Sequence, residues 1–356
     1  MPGENPSPTH TSLRSAAHRL RLDRQASHWL QKIDPLLTLG EVRARVVGIL
    51  PETSEVTSFV LRPNGHWRGH RAGQHTLLEV EIDGVRHQRP FTIASPPHGD
   101  TLVLTVKRID GGKVTNHLHD GLRVGDVVGL SEARGDFVLP DQRPERPLFV
   151  TAGSGITPAL AMLGELANAG ELKGATLVHH ARSRTDIIAR DRLVRWADAG
   201  LELHLFTDDQ PGPRGFDADR FAATVPDFDQ RETWLCGPPP VMQSARALWA
   251  LRDALPRLHT ERFVAAPAPS AGRSVQVTLR RSGRTLTLDG RGSLLEQLER
   301  AGERPAYGCR MGICHTCRCP KVAGTTRDRE TGAISTEPRP IRLCVSDARS
   351  DIELDL

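Results

Sequence analysis

Four cysteines carry the strongest chemical signal in this 356-residue chain. Cys309, Cys314 and Cys317 form a C-x4-C-x2-C loop, and Cys344 follows after 26 intervening residues. Three thiolates from one loop and a fourth from a later segment is the ligand spacing of a [2Fe–2S] cluster. Structural zinc, the alternative, is usually held by two close C-x2-C pairs, whereas here the first gap is four and the last cysteine stands alone. Gly308 and Gly312 bracket the first ligand, where backbone amides must come close to sulfur. Cys319 falls outside the spacing and reads as an ordinary small side chain. A cluster of this kind moves one electron at a time, so a source of electrons is expected upstream.

Two motifs suited to a phosphorylated ring compound lie upstream. In Arg89-Pro90-Phe91-Thr92, strand alternation puts Arg89 and Phe91 on one face, a guanidinium to fork onto phosphate and a flat ring to cover another. Gly111-Gly112-Lys113-Val114-Thr115 places glycines and a hydroxyl at a helix start, a nest of amides suited to a pyrophosphate or simply a tight capping turn. Between them, Val106 and Lys107 sit where a ring edge or an adenine can rest.

A second set suits a dinucleotide. The run from Thr151 through Gly153, Gly155 and Thr157 to Pro158 follows a strand and opens a helix, with Thr157 as a cap and Pro158 at the first helical position. Pro158 stands where G-x-G-x-x-G would have its last glycine, so the common NAD fingerprint is missing. After the next strand, Arg182, Ser183 and Arg184 replace the acid that grips a ribose 2′-hydroxyl, which favours NADPH and leaves NADH open. At another strand end, Cys236-Gly237-Pro238 sets a cysteine, expected to be exposed, beside the nicotinamide position.

The elements that must position these groups change character along the chain. Residues 1–40 form an extension whose stretch from Leu13 to Ile33, with Arg14, Arg19, Arg21 and Arg24 beside Leu20, Leu22, Trp29 and Leu30, predicts a basic amphipathic helix. That helix can touch an anionic membrane or a partner protein, or pack on its own domain. Residues 41–142 carry short Val-, Leu- and Thr-rich strands with Asp83-Gly84 as a hairpin turn, which predicts an antiparallel β-barrel. Residues 143–264 alternate strands with helices, predicting a doubly wound parallel α/β sheet. Residues 265–272 are an Ala/Pro linker, and 273–356 hold strands, a Ser293/Glu296 capping box and the cysteine loop.

Composition excludes several classes. A net charge of +4 and a pI near 8.9 are too mild to argue for nucleic acid. The six cysteines leave no disulfide framework once the four ligands, Cys236 and Cys319 are counted. No apolar run is long enough to span a bilayer and no signal-peptide core opens the chain, so a cytoplasmic protein is expected, with peripheral contact at the inner membrane face through the N-terminal helix as an option.

Taken together, and in this order, the motifs resemble the ferredoxin–NADP reductase superfamily, in the group with a C-terminal plant-type ferredoxin domain. The likeness covers residues 41–356. It implies a β-grasp fold for the last domain and FAD at Arg89, Phe91, Thr92 and the Gly111–Thr115 loop. It likewise implies a nicotinamide dinucleotide at Thr151–Pro158 and Cys236–Pro238, and cluster ligation by Cys309, Cys314, Cys317 and Cys344. Phe91 stands where the family commonly has tyrosine, which keeps stacking and loses a hydroxyl. The expected activity is electron transfer from NADPH through FAD and [2Fe–2S] to a redox partner protein. The extension resembles that of reductases serving membrane di-iron fatty acyl desaturases and hydroxylases, and a Rieske ring-hydroxylating oxygenase is the other partner the likeness implies. A flavin enzyme with a zinc-bound interaction module, or an electron carrier that binds no nucleotide, remains the contrasting reading.

Overall fold

Every second residue at the start of β1 (Val42–Pro51), namely Val42, Ala44 and Val46, is buried, marking the inward face of a curled antiparallel sheet. The computed structural model describes residues 33–263, 274–308, 310–312, 315–329 and 331–356. With β1, the strands β2 (Val56–Pro63), β3 (His75–Ile82), β4 (Val85–Thr92), β5 (Leu102–Lys107) and β6 (Val127–Leu130) form one sheet in the order β4-β3-β6-β1-β2-β5. A bridge between Ile93 and Leu104 brings its two edges together, so the sheet curls into the expected barrel. The β3–β4 hairpin turns through Asp83 and Gly84, both at positive φ (53° and 72°), as a two-residue loop requires. Helix α1 (Lys113–Gly121) buries Val114 and Leu118 against the barrel.

The second sheet is all parallel, in the order β11-β10-β7-β8-β9, from β7 (Leu148–Ala152), β8 (Thr176–Ala181), β9 (Glu202–Thr207), β10 (Thr233–Cys236) and β11 (Leu258–Glu261). Both faces are covered, by α2 (Thr157–Ala169), α3 (Arg190–Asp198), α4 (Ala218–Thr224) and α5 (Pro239–Leu251), which is why β7 is buried at every residue. Barrel and α/β unit share a core. Val56, Phe137 and Leu139 from the first pack into the apolar cluster of the second, and Trp234 Nε1 donates to Val138 O at 3.2 Å.

The last unit is a mixed sheet in the order β13-β12-β19-β14-β17, with β12 (Val275–Leu279), β13 (Arg284–Leu288), β14 (Arg318–Ala323), β17 (Arg339–Arg342) and β19 (Ile352–Leu354). Beside it stands a small sheet of β15 (Thr326–Asp328), β16 (Ile334–Ser335) and β18 (Ser346–Ala348). Helix α6 (Leu294–Arg300) starts at the predicted capping box. Ser293 Oγ accepts from Glu296 N at 3.3 Å, and Ser293 N donates to Glu296 Oε2 at 2.8 Å. Leu294, Leu295 and Leu298 close the core beneath Cys317, Leu343 and Cys344. The basic stretch predicted to be helical from Leu13 to Ile33 lies, apart from Ile33, outside the described residues, as does the whole of the predicted linker.

Candidate functional site

All three units meet at one cavity of ≈ 500 Å³. The barrel supplies Arg89, Pro90, Phe91 and Thr92 from β4, Thr105 and Lys107 from β5, and Gly111, Gly112, Lys113, Val114 and Thr115 from the turn into α1. The α/β unit adds Ser154, Thr157, Glu261 and Phe263, and the cysteine loop adds Arg310 and Met311. The turn admits only glycine at 112, where a Cβ would stand 2.4 Å from Thr115 Oγ1 and 2.9 Å from Ile109 O. Thr115 spends its hydroxyl on that turn, accepting from Ile109 N and donating to Gly112 O, both at 3.3 Å. No side chain caps α1, so its first amides remain available to an anion. Arg89 has one N–H on its neighbour's carbonyl, Gln88 O at 2.7 Å, and no carboxylate partner among the described residues. An open guanidinium, open helix amides and apolar walls with an aromatic ring at Phe91 are what a flavin nucleotide demands of a site.

The predicted nucleotide loops line a second cavity of ≈ 210 Å³. Its walls include Gly153, Ser154, His180, Arg182, Asp186, Asp208 and Pro238 from the α/β unit, and Thr53, Glu55, Val56 and Lys107 from the barrel. Gly155 is needed because a Cβ there would lie 2.4 Å from Cys236 O and 2.8 Å from Gly237 N; the two strand-end turns lie back to back. His180, 8 % exposed and flanked by Phe206 and Phe216, is held neutral, its pKa drawn down to about 4 by burial and then by Arg220. Behind it His179 is drawn down to about 3 by burial, and its Nδ1 lies 2.8 Å from Thr151 Oγ1.

In the cysteine loop Cys317 and Cys344 are buried with Sγ atoms 3.2 Å apart, and Gly312 N donates to Cys344 Sγ at 3.2 Å. Arg310, Gly312 and His315 all have positive φ (59°, 82° and 58°), folding the loop tightly over these sulfurs. Convergent buried thiols with an amide aimed at sulfur fit an iron–sulfur cluster. Cys309 and Cys314 lie outside the described residues.

The structure corrects several expectations. Cys236 is not exposed but 1 % accessible, and burial pushes its thiol pKa well up, so it is a neutral packing group at the end of β10. Thr157 does not cap α2: a 3-10 turn over Gly153–Ile156 runs straight into the helix, and Thr157 Oγ1 donates to Ser154 O. Val106 points into the barrel core rather than the site. Arg182 is already engaged, by Glu55 at 2.6 Å and Asp186 at 3.5 Å, while Ser183 bonds Asp186 and the Arg184 amide donates to Asp209.

Among the residues of the flavin cavity that escaped the sequence reading, Glu261 and Phe263 come from the end of the α/β unit, and His75 and Thr105 from the barrel. Glu261 ends β11, 7 % exposed, with Oε2 lacking a hydrogen-bond partner among the described residues; burial alone pushes its pKa up to about 8, so it is a neutral acid at pH 7. His75 Nδ1 lies 4.0 Å from its Oε1. The only trace in the chain is the tripeptide Glu261-Arg262-Phe263 just before the linker.

A flavin barrel, a nucleotide-binding α/β unit and a cysteine-loop domain arranged around shared cavities define a pyridine-nucleotide-dependent flavin and iron–sulfur reductase. Three family matches run in the same order: the oxidoreductase FAD-binding domain over residues 49–138, the oxidoreductase NAD-binding domain over 149–247 and the 2Fe-2S iron-sulfur cluster binding domain over 277–348. A Mycobacterium tuberculosis protein named NADPH oxidoreductase is 32% identical over 99% of this chain and 94% of its own length. The stachydrine N-demethylase reductase subunit of Rhizobium meliloti is 31% identical over 81% of this chain and 88% of its own. Phthalate dioxygenase reductase, whose structure was described as a modular one for electron transfer from pyridine nucleotides to [2Fe–2S], superposes with a TM-score of 0.63 at 25% identity. The match covers 89% of this chain and 98% of that one. The chain belongs to the ferredoxin–NADP reductase superfamily, in the group with a C-terminal [2Fe–2S] domain, and its cofactors are FAD, NAD(P)H and a [2Fe–2S] cluster.

Proposed function

We propose that this protein is the reductase component of an oxygenase system, taking electrons from NADPH and handing them one at a time to a separate Rieske-type oxygenase. The observation that carries this is the shared cavity, where Phe91 of the barrel, Phe263 of the α/β unit and Met311 of the cysteine loop line a single space. No long path then separates the redox groups. The name of the phthalate dioxygenase reductase supports an oxygenase as the acceptor, and that of the Rhizobium relative supports a separate partner enzyme served by a reductase subunit.

When bound, FAD and the cluster supply the conversion between hydride and single-electron transfer. Arg89 and the α1 amides of the Gly111–Thr115 turn hold the flavin phosphates, with Lys107 and Lys113 adding positive charge. Phe91 and Phe263 wall the ring, and Pro90, Thr92 and Val114 shape its edge. Glu261, neutral at pH 7, holds a proton at the cavity wall without adding charge to it. The α/β unit orients the nucleotide through Gly153 and Pro238, with Thr151, Gly155, Pro158 and Gly237 fixing the turns behind it. Cys236 has no nucleophilic part in this reading. Cys309, Cys314, Cys317 and Cys344 ligate the cluster.

NADPH is proposed over NADH from Arg182 and Arg184 and from the name of the full-length Mycobacterium relative. A membrane di-iron desaturase or hydroxylase is the second reading. It rests on the N-terminal extension, which that relative also spans. Among the described residues no helix is long and apolar enough to cross a membrane. The test is reconstitution: anaerobic NADPH should bleach the flavin and develop the EPR signal of a reduced [2Fe–2S] cluster, and the reduced protein should support turnover by a co-encoded Rieske oxygenase. Flavin reduction without oxygenase turnover, alongside turnover with a desaturase, would transfer the assignment to the second reading.

A further inference from the structure

The turn joining β1 to β2 reaches from the barrel onto the α/β unit by two carboxylates. Glu52 accepts from Ser58 Oγ at 2.6 Å and from the amide of Ala189 at 3.1 Å, which fixes the turn in place. Glu55 then projects into the nucleotide cavity, where its Oε2 lies 2.6 Å from Arg182 Nη2 and 3.5 Å from Lys107 Nζ. Asp186 holds the same guanidinium nitrogen at 3.5 Å. The cation that sequence logic assigns to a ribose 2′-phosphate therefore faces a carboxylate from another domain, at an ion pair with its members 59% and 40% exposed. Exposed pairs of this kind are weak and exchange readily with a competing anion.

We propose that Glu55 is a specificity-determining residue of the nucleotide site: its carboxylate neutralises Arg182 across the domain boundary, and a 2′-phosphate must displace it to be gripped. Glu55 repels the added phosphate of NADPH and leaves NADH, which has a hydroxyl there, little affected. It narrows the preference that Arg182 would otherwise impose. The inference rests on the cavity being the dinucleotide site, and not on which nucleotide the wild type prefers.

The test compares wild type, Glu55→Gln, Arg182→Gln and the double variant as FAD- and cluster-loaded full-length protein. Calorimetric affinities for adenosine 2′,5′-bisphosphate and for 5′-AMP are measured with KM for NADPH and NADH, at low salt and at high salt. Glu55→Gln is expected to tighten the bisphosphate and lower KM for NADPH by about five-fold at low salt, as removal of one nearby like charge in water would. The gain should vanish at high salt and in the Arg182→Gln background, and the NADPH/NADH ratio should shift accordingly. An equal change for both nucleotides, a gain that survives loss of Arg182, or no change at all would overturn the proposal. If neither adenylate binds any variant, the cavity assignment itself fails and takes the proposal with it. A wild type that prefers NADH, combined with the predicted shift in Glu55→Gln, removes only the NADPH assignment.

Discussion

The two cavities treat charge differently. In the flavin cavity Arg89 meets no carboxylate among the described residues and no side chain caps α1, so this guanidinium and the helix amides stand ready, whereas Lys113 and Arg310 at the cavity wall are paired with Asp83 and Glu299. In the nucleotide cavity Arg182 is held by Glu55 and Asp186 before any ligand arrives. A resident cofactor is served by uncompensated donors, since every interaction with it is a net gain. An exchanging substrate is served by pre-paired donors, because the protein's own carboxylates help it leave. The contrast teaches that residence time is written in the partners of the arginines rather than in their number.

Cys344→Ala should have the largest effect: the cluster is lost and iron falls to near background, while flavin content and NADPH-driven ferricyanide reduction persist. Loss of flavin along with iron would show that the cavity depends on the cysteine loop for its stability. Next, Arg89→Ala should weaken FAD binding by roughly 10- to 100-fold, the value of a charge-assisted contact with phosphate. The same truncation at Arg182 should raise KM for NADPH only about five-fold, since an exposed, pre-paired cation contributes less. Fluorescence titration and steady-state kinetics measure the two, and equal effects would erase the distinction between the cavities.

Smaller effects come from titration. The pKa of Glu261, raised to about 8 in the fold, means that the native state holds a proton the unfolded chain releases from about pH 4.5 upward. Its contribution is therefore full below that pH and is lost as pH rises through 8. Thermal melts should show Glu261→Gln gaining on wild type between about pH 4.5 and pH 8 and levelling off above it, and parallel curves would count against the buried neutral acid. His179 and His180 have the opposite sign. With pKa values of about 3 and about 4 their stability is present above the ordinary imidazole value and lost as pH falls towards 4. Replacing His180 with asparagine should flatten acid unfolding in that window, on the nucleotide side alone.

Much of the architecture was legible because it is local. The β3–β4 hairpin follows from Asp83-Gly84, and the start of α6 from Ser293 and Glu296, since turn and cap chemistry act within a few residues. Short elements without a period escaped: α4 and β11 are seven and four residues long. Glu261 was lost with β11, because one acid at the end of an unrecognised strand carries no pattern.

The chain by itself determined the cofactor set, since thiol spacing, glycine turns and strand-end loops are chemistry carried by neighbours in sequence. Which groups are open and which already held was decided only by the tertiary structure. Glu55 and Arg182 are 127 positions apart, and the cysteine 236 thiol is silenced by strands packed around it. Charge pairing and burial depend on distances through space, and the order of residues along a chain does not contain them.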